Sequence, residues 1–414
     1  MELSWKRNLV CVWLSQILAM AGFAAIYPFV PIFFRDVYKM TDPTVCGVWV
    51  AVLTFCGMFS FCAAAPLWGW LADRFGRKLM LLRSYYVTGL LFPVLYFAPN
   101  VYWFIAIRFL VSAFSGTVTA AQTLVVTNTP RESQGFALGA LSTALWSGNM
   151  VGFVIGGVVV NAFGFFWGFM VCGIMYLVGG GLVQFLVQEN FERAPQREKK
   201  TSKGFGREVF AGWTSAIRWL LLIFLVMGMA RRFDEPFLAL LVEAIHGAAD
   251  TAFYTGLICA AAAVGGIVSG FVVGKLCDRT APEKLAIPMI VGAVVAMLAQ
   301  AFATNLTVLA VARFITFFCA GGLEPAFQTL LARNASDEEQ GSLFGWASSS
   351  RMLGIMLAAA AGGAVIYFCG IRGIFVAAAA LMLALLPLLA CLARIRRQED
   401  SPRPEAAAAG EVRS

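Results

Sequence analysis

Long apolar stretches alternate along this chain with short polar breaks, and the pattern predicts structure before any single residue is considered. A helix crosses a bilayer with about 20 mainly apolar residues. Stretches of that length predict spans at 9–33, 45–70, 80–98, 101–128, 135–162, 164–187, 216–243, 250–273, 285–304, 306–332, 341–367 and 371–394. Short segments of alternating polarity, the mark of a transmembrane barrel, are not the pattern here. The first stretch follows Lys6 and Arg7 as a signal peptide would, but its apolar core is too long and no soluble domain follows, so it is read as a retained span.

Composition agrees with an all-α integral membrane protein: 60% of the 414 residues are hydrophobic and 13% are charged, too few charges to cover a water-exposed surface. The ten cysteines form no CxxC pair and the chain has one histidine, His246, so disulfides, zinc and any other cofactor are not expected. The formal charge of +8 reflects sidedness and not nucleic-acid binding. Arg74, Arg77, Lys78 and Arg83, then Arg131, then the cluster from Arg193 to Arg207, then Lys275, Arg279 and Lys284, then Arg333, and finally Arg394, Arg396 and Arg397 all fall on one side. Only Arg35, Lys39 and Arg372 occupy breaks on the other. By the positive-inside rule both termini are expected in the cytoplasm, with the chain multi-pass in a cell membrane, most simply a bacterial inner membrane.

The chain repeats itself. Displaced by 205 residues, Gly69, Leu71, Asp73 and Arg74 fall on Gly274, Leu276, Asp278 and Arg279. Displaced by 206, QGFALG at Gln134 falls on QGSLFG at Gln340, and Gly148, Gly156 and Gly157 fall on Gly354, Gly362 and Gly363. The predicted organisation is therefore two pseudo-symmetric six-helix bundles, 1–188 and 216–394, joined by a polar, basic linker at 189–215 and followed by a tail at 395–414. Two such bundles facing each other create a cavity between them, the geometry of alternating access.

Between the second and third spans lies GWLADRFGRK. Gly69 and Gly76 suit a sharp turn, Asp73 can accept from free N–H groups at a helix start, and Arg74, Arg77 and Lys78 can bind phosphates or carboxylates. With the partial copy GKLCDR at Gly274 to Arg279, this loop resembles the G-x-L-a-D-r-x-G-r-k signature of the major facilitator superfamily. Two further features are similar to its twelve-span drug:proton antiporter branch: Arg108 in RFLVSAFSG, and the fifth-span glycines Gly139, Gly148, Gly152, Gly156 and Gly157, with Phe153 where the usual pattern has proline. The resemblance covers nearly the whole chain. It implies the twelve-helix fold of that superfamily, export by proton antiport, and a cytoplasmic gate formed by Gly69, Asp73, Arg74, Gly76, Arg77, Lys78, Gly274, Asp278 and Arg279, latched onto the helix start near Gln340 and Gly341.

Charges inside the spans need a reason, because each costs about 2.5–3.5 kcal/mol even on the lenient insertion scale. Eight qualify: Arg108, Arg231, Arg232, Asp234, Glu235, Arg313, Glu324 and Arg351. In ARRFDEP, helical spacing sets Arg231 against Asp234 and Glu235 at i+3 and i+4, while Pro236 deprives the Arg232 carbonyl of its partner and should break the helix; Pro28 and Pro31 should act likewise in the first span. Asp234, Glu235 and Glu324 are candidate proton carriers or, on the bland reading, members of structural ion pairs. Arg108, Arg231, Arg232, Arg313 and Arg351, with Tyr27, Gln122, Trp146, Asn149 and Phe23, are candidate cargo contacts; Arg108 and Arg313, at corresponding places in the two halves, could equally bond helix carbonyls in a structural role, and the aromatics more often pack or face lipid. Five cations against three anions favour an anionic or zwitterionic small-molecule cargo. No phosphate loop and no nucleophile, base or metal constellation points to an enzyme. The expected activity is proton-driven export of amphiphilic small molecules by a monomer, with transport of one specific anionic metabolite, or a non-transporting receptor, as alternatives.

Overall fold

A computed structural model describes residues 5–130, 133–189, 215–279, 282–333 and 340–399; most of the expected linker and nearly all of the tail lie outside this set. Among the described residues every regular element is helical. The spans are Trp5–Val37, Pro43–Phe75, Arg77–Phe97, Val101–Asn128, Gln134–Phe163, Phe165–Leu186, residues 215–246, Thr251–Arg279, Pro282–Ala301, Leu306–Arg333, and a long helix Gln340–Leu383 continued by Leu385–Glu399. Ten stretches are long and apolar enough to cross a membrane. One of them covers 51 residues and is divided at Gly370, whose φ of 68° is non-helical, so it supplies two crossings. The seventh span is not among the ten because it is broken after Arg232 and its first helix carries three arginines, Arg218, Arg231 and Arg232. With it the crossings number twelve among the described residues.

The seventh span is broken where its proline predicts. Helix Ser215–Arg232 gives way to a 3₁₀ turn Glu235–Phe237 and then to helix Leu238–His246. The first span breaks in the same manner, from Trp5–Ala24 through the 3₁₀ turn Tyr27–Phe29 into Val30–Val37. Pro28 and Pro236 each remove a backbone donor, and the tighter i→i+3 ladder takes up the slack.

The repeat in the sequence is a repeat in the packing. Within the first half the first span packs on the fifth and sixth, the second on the fourth, and the third on the sixth. In the second half the seventh and ninth pack on the long helix Gln340–Leu383 and the eighth packs on the tenth. The halves meet through the second span on Gln340–Leu383 and the fifth on the eighth, a swapped pair of contacts that a twofold axis requires.

The fifth-span glycines make the first-to-fifth contact possible. A Cβ at Gly148 would stand 2.7 Å from the Ile17 carbonyl oxygen, and at Gly152 and Gly156 it would collide with the backbone of Ala21 and Ala25. Gly354 and Gly228 do the same between the eleventh and seventh spans, against Leu225 and Arg351. Small residues let membrane helices approach closely enough for dispersion contacts to hold them. Gly152→Leu is therefore expected to destabilise the first half by about 1–3 kcal/mol through overpacking, read as a lower melting temperature of the purified protein, whereas Gly139→Leu, with nothing within 4 Å of its Cβ, should leave it unchanged.

Candidate functional site

The predicted loop between the second and third spans is shorter than its motif. The helix continues through Gly69 to Phe75, and the turn is made at Gly76 alone, with φ 95° and ψ 155°. Gly69 is thus helical and does not make the sharp turn expected of it. Arg74 lies over the Trp70 and Phe75 rings at 5.6 Å. The backbone N–H groups of Arg77 and Lys78, free at the start of the third span, donate to the two carboxylate oxygens of Glu189 at 3.0 and 2.8 Å, and Lys78 Nζ reaches the Gln184 carbonyl oxygen at 2.9 Å. Glu189 was not legible as part of this loop: it sits more than 100 residues away, directly after the sixth span. Gly274 lies within helix Thr251–Arg279 and Gly341 within Gln340–Leu383, while the side chains of Asp73, Asp278, Arg279 and Gln340 lie outside the described residues, and the expected latch with them.

The eight embedded charges do not pair as helical spacing suggests. Because the chain leaves the α-helix after Arg232, Arg231 does not face Asp234 or Glu235. It crosses instead to the tenth span, donating to Glu324 at 2.7 Å, and Arg351 of the eleventh span binds the other oxygen of the same carboxylate. Arg232 pairs with Glu235 beside it. Asp234 also reaches the tenth span, where it pairs with Arg313, three turns before Glu324; both side chains are only 2% exposed. Arg313 also donates to Gln300 at 3.1 Å, Gln300 donates to Thr316 at 2.7 Å, and the guanidinium lies over Phe317 at 4.9 Å.

Arg108 differs from all of these. It donates to Ser112 one turn along its own helix at 2.9 Å and lies over the Phe23 and Phe92 rings at 5.6 and 5.7 Å. Among the described residues no carboxylate pairs with it. Its electrostatic neighbours are Tyr27, Tyr176 and Cys172, and the Tyr27 hydroxyl in turn feels Glu235 and Arg232 across the boundary between the halves. Tyr27 stacks on Phe23 at 4.8 Å and shares a hydrogen bond with Thr54 at 3.4 Å. Trp146 packs over the backbone of Gly266 on the eighth span. Gln122 and Asn149 are half-buried, and among the described residues no hydrogen bond ties them to the charged cluster.

This arrangement locates the excess charge. Two pairs are balanced, Asp234 with Arg313 and Glu235 with Arg232; Glu324 serves two arginines, and Arg108 has no carboxylate partner among the described residues. One surplus positive charge therefore belongs to the first half, at Arg108, and one to the second, at Arg231–Glu324–Arg351.

The halves are tied at the end away from the basic loops. Arg35 binds Glu243 at 2.5 Å and Asn161 donates to Asp250 at 2.9 Å. Gly47 against Ile366, Gly256 against Phe153 and Gly363 against Ala51 continue the contact inward. Towards the basic end Gly69, Gly139, Gly270 and Gly345 have, among the described residues, nothing within 4 Å of an added Cβ, as is also true of Gly164, Gly247 and Gly370 at the far end. Sequence reasoning placed Arg35 only as an outer-loop cation. Glu243 was missed because it ends an otherwise apolar helix and its partner arrives from the other half. An apolar cavity of about 400 Å³ runs between the second and eleventh spans near this closed end, lined by Ala51, Phe55, Gly363 and Tyr367 among others.

Two six-helix bundles that repeat each other's packing, meet through four spans and hold ion pairs among their spans have the architecture of a membrane transporter. The sequence profile of the Major Facilitator Superfamily matches residues 12–302 and 220–413. The chain belongs to that superfamily. It is 31% identical over 385 residues to the multidrug resistance protein MdtG of Escherichia coli (strain SMS-3-5 / SECEC), covering 92% of this chain and 93% of the relative. Among solved structures, a bacterial homologue of the human lysosomal transporter Spinster, inward-facing and unoccupied, superposes with a TM-score of 0.75 over 97% of this chain and 100% of that one at 16% identity. The nucleoside transporter NupG superposes with a TM-score of 0.74 over 93% and 99% at 11% identity.

Proposed function

We propose that this transporter exports amphiphilic small molecules bearing a negative charge, anionic or zwitterionic, in exchange for protons by alternating access. The observation that carries the reading is the surplus of positive charge divided between the halves, one cation at Arg108 and one at the Arg231–Glu324–Arg351 triad. A cation inside a bilayer without a counter-ion is costly to keep, and an incoming anion would offset that cost. The aromatic surroundings of Arg108, and the multidrug resistance function named for the MdtG relatives, support an amphiphilic cargo.

Of the three acids, Asp234 is sealed against Arg313 and suits a structural role in the second half. Glu324 and Glu235 are 24% and 20% exposed, open enough to exchange protons with water in the hollow, and are the stronger candidates for coupling. If the basic end lies in the cytoplasm, as the positive-inside rule implies, the Arg35–Glu243 pair would close the outer side in an inward-facing state. The functional unit in this reading is a monomer in the inner membrane of a bacterium.

The test is flux into or out of proteoliposomes under an imposed pH gradient, screening charged amphiphiles against neutral and cationic ones. Accumulation of anionic compounds driven by the gradient is expected. Flux indifferent to the gradient would sink the antiport mechanism and leave facilitated diffusion.

A further inference from the structure

The two halves carry the same arginine in unequal settings. Asn100 and Asn305 cap the fourth and tenth spans in the same way, accepting from Trp103 and Val308 at 3.1 and 2.8 Å, and Arg108 and Arg313 each lie eight residues beyond their cap. The two are therefore structural counterparts. The 3₁₀ turns supply a second register. Pro28 and Pro236 match, so the residue two places before each, Ile26 and Asp234, match as well. Five residues before the capping asparagines stand Leu95 and Gln300.

Arg313 thus has an acid from the seventh span and an amide from the ninth, while the equivalent positions around Arg108 hold isoleucine and leucine. Both are buried, at 1% exposure each. The surroundings agree with the register. Arg108 lies over Phe23, one helical turn before Ile26, and its electrostatic neighbours include Tyr27, beside Ile26, and Cys172, one turn along from Gly168, against which Ile26 packs. The first half keeps the cation but has, at the matching positions, neither the acid that neutralises it in the second half nor the amide that accepts from it.

We propose that Arg108 is the docking point for the anionic group of the cargo, which takes in the first half the place that the Asp234 carboxylate takes in the second. The phenylalanine rings on which Arg108 rests would then meet the apolar part of the same molecule, so the site takes a compound with one carboxylate, sulfonate or phosphate joined directly to an apolar body. The second half cannot offer an equivalent site at Arg313, because its own aspartate already fills it. This inference rests on the reading of the chain as a carrier of amphiphilic small molecules.

Binding of decanoate, decanol and decylamine to the full chain in nanodiscs tests it, since the three share a tail and differ in the head. Decanoate should bind the unaltered protein more tightly than decanol by roughly 30-fold or more, the size of a desolvated charge pair, and decylamine should bind least. Arg108→Gln should abolish the preference for decanoate while leaving decanol binding in place, and Arg108→Lys should keep part of the preference. Ile26→Asp should abolish it too, by building into the first half the acid that the cargo would otherwise supply. If Ile26→Asp does not fold, as judged by gel filtration and melting, the two Arg108 variants decide the matter. A preference for decanoate that survives Arg108→Gln overturns the inference and leaves the transporter reading standing. Failure of all three compounds to bind the unaltered protein removes the amphiphile reading and the inference together.

Discussion

Asp234→Asn should destabilise the protein by about 3–5 kcal/mol, the cost of breaking one member out of a buried ion pair. Arg313 remains charged, 2% exposed, and loses the carboxylate that offsets its burial. Gln300 cannot compensate: its oxygen already accepts from Arg313 and its amide is committed to Thr316. The second half should loosen at the junction of the seventh, ninth and tenth spans. Melting of the purified protein with intact and altered residues gives the direction, and a double-mutant cycle gives the coupling. Asp234→Leu combined with Arg313→Met should recover most of the lost stability, since a packed apolar pair carries no desolvation cost. Equal losses that simply add would show that the two side chains do not act as a pair.

Glu324→Gln should be comparably severe, for a different reason. One carboxylate holds Arg231 and Arg351 apart and together, bridging the seventh, tenth and eleventh spans. Replacing it leaves two guanidinium groups facing each other and raises the embedded excess from two positive charges to three. Gradient-driven flux is expected to fall at least about tenfold, equivalent to some 1.4 kcal/mol of lost coupling, with a lower melting temperature. Adding Arg351→Gln should restore the melting temperature but not the driven flux, because it removes the repulsion without returning a protonatable group. Full driven flux in Glu324→Gln would exclude this residue from coupling.

Much of the fold was legible because its causes are local. Apolar run length set the spans, proline set the breaks at Tyr27–Phe29 and Glu235–Phe237, and a constant offset of repeated residues anticipated a packing pattern that repeats between halves. What was not legible depends on which distant residues meet. Arg231 and Glu324 are 93 positions apart, and the i+3 and i+4 spacing that pointed Arg231 at Asp234 and Glu235 holds only while the helix continues, which it does not. The glycines of the fifth span resemble an antiporter signature, and the GxxxG spacing of Gly148 and Gly152 also points to close helix packing; Gly148, Gly152 and Gly156 are where backbone meets backbone, Gly157 faces the eighth span, and Gly139 has nothing within 4 Å among the described residues. Charge counting over the sequence found the surplus of two. Only the pairing could say that one of them belongs to Arg108.

Alternating access requires the two bundles to move apart at one end as they close at the other. Spin labels at Trp70 and Ser349, on the second and eleventh spans towards the basic end, and a second pair at Val45 and Phe368 near the far end, placed in a background without native cysteines, measure this directly. A long separation for the first pair and a short one for the second are expected, with the order reversing in part when Arg35→Gln and Glu243→Gln remove the tie at the far end. Two distances that stay fixed under that change, and under an imposed pH difference, would contradict alternating access.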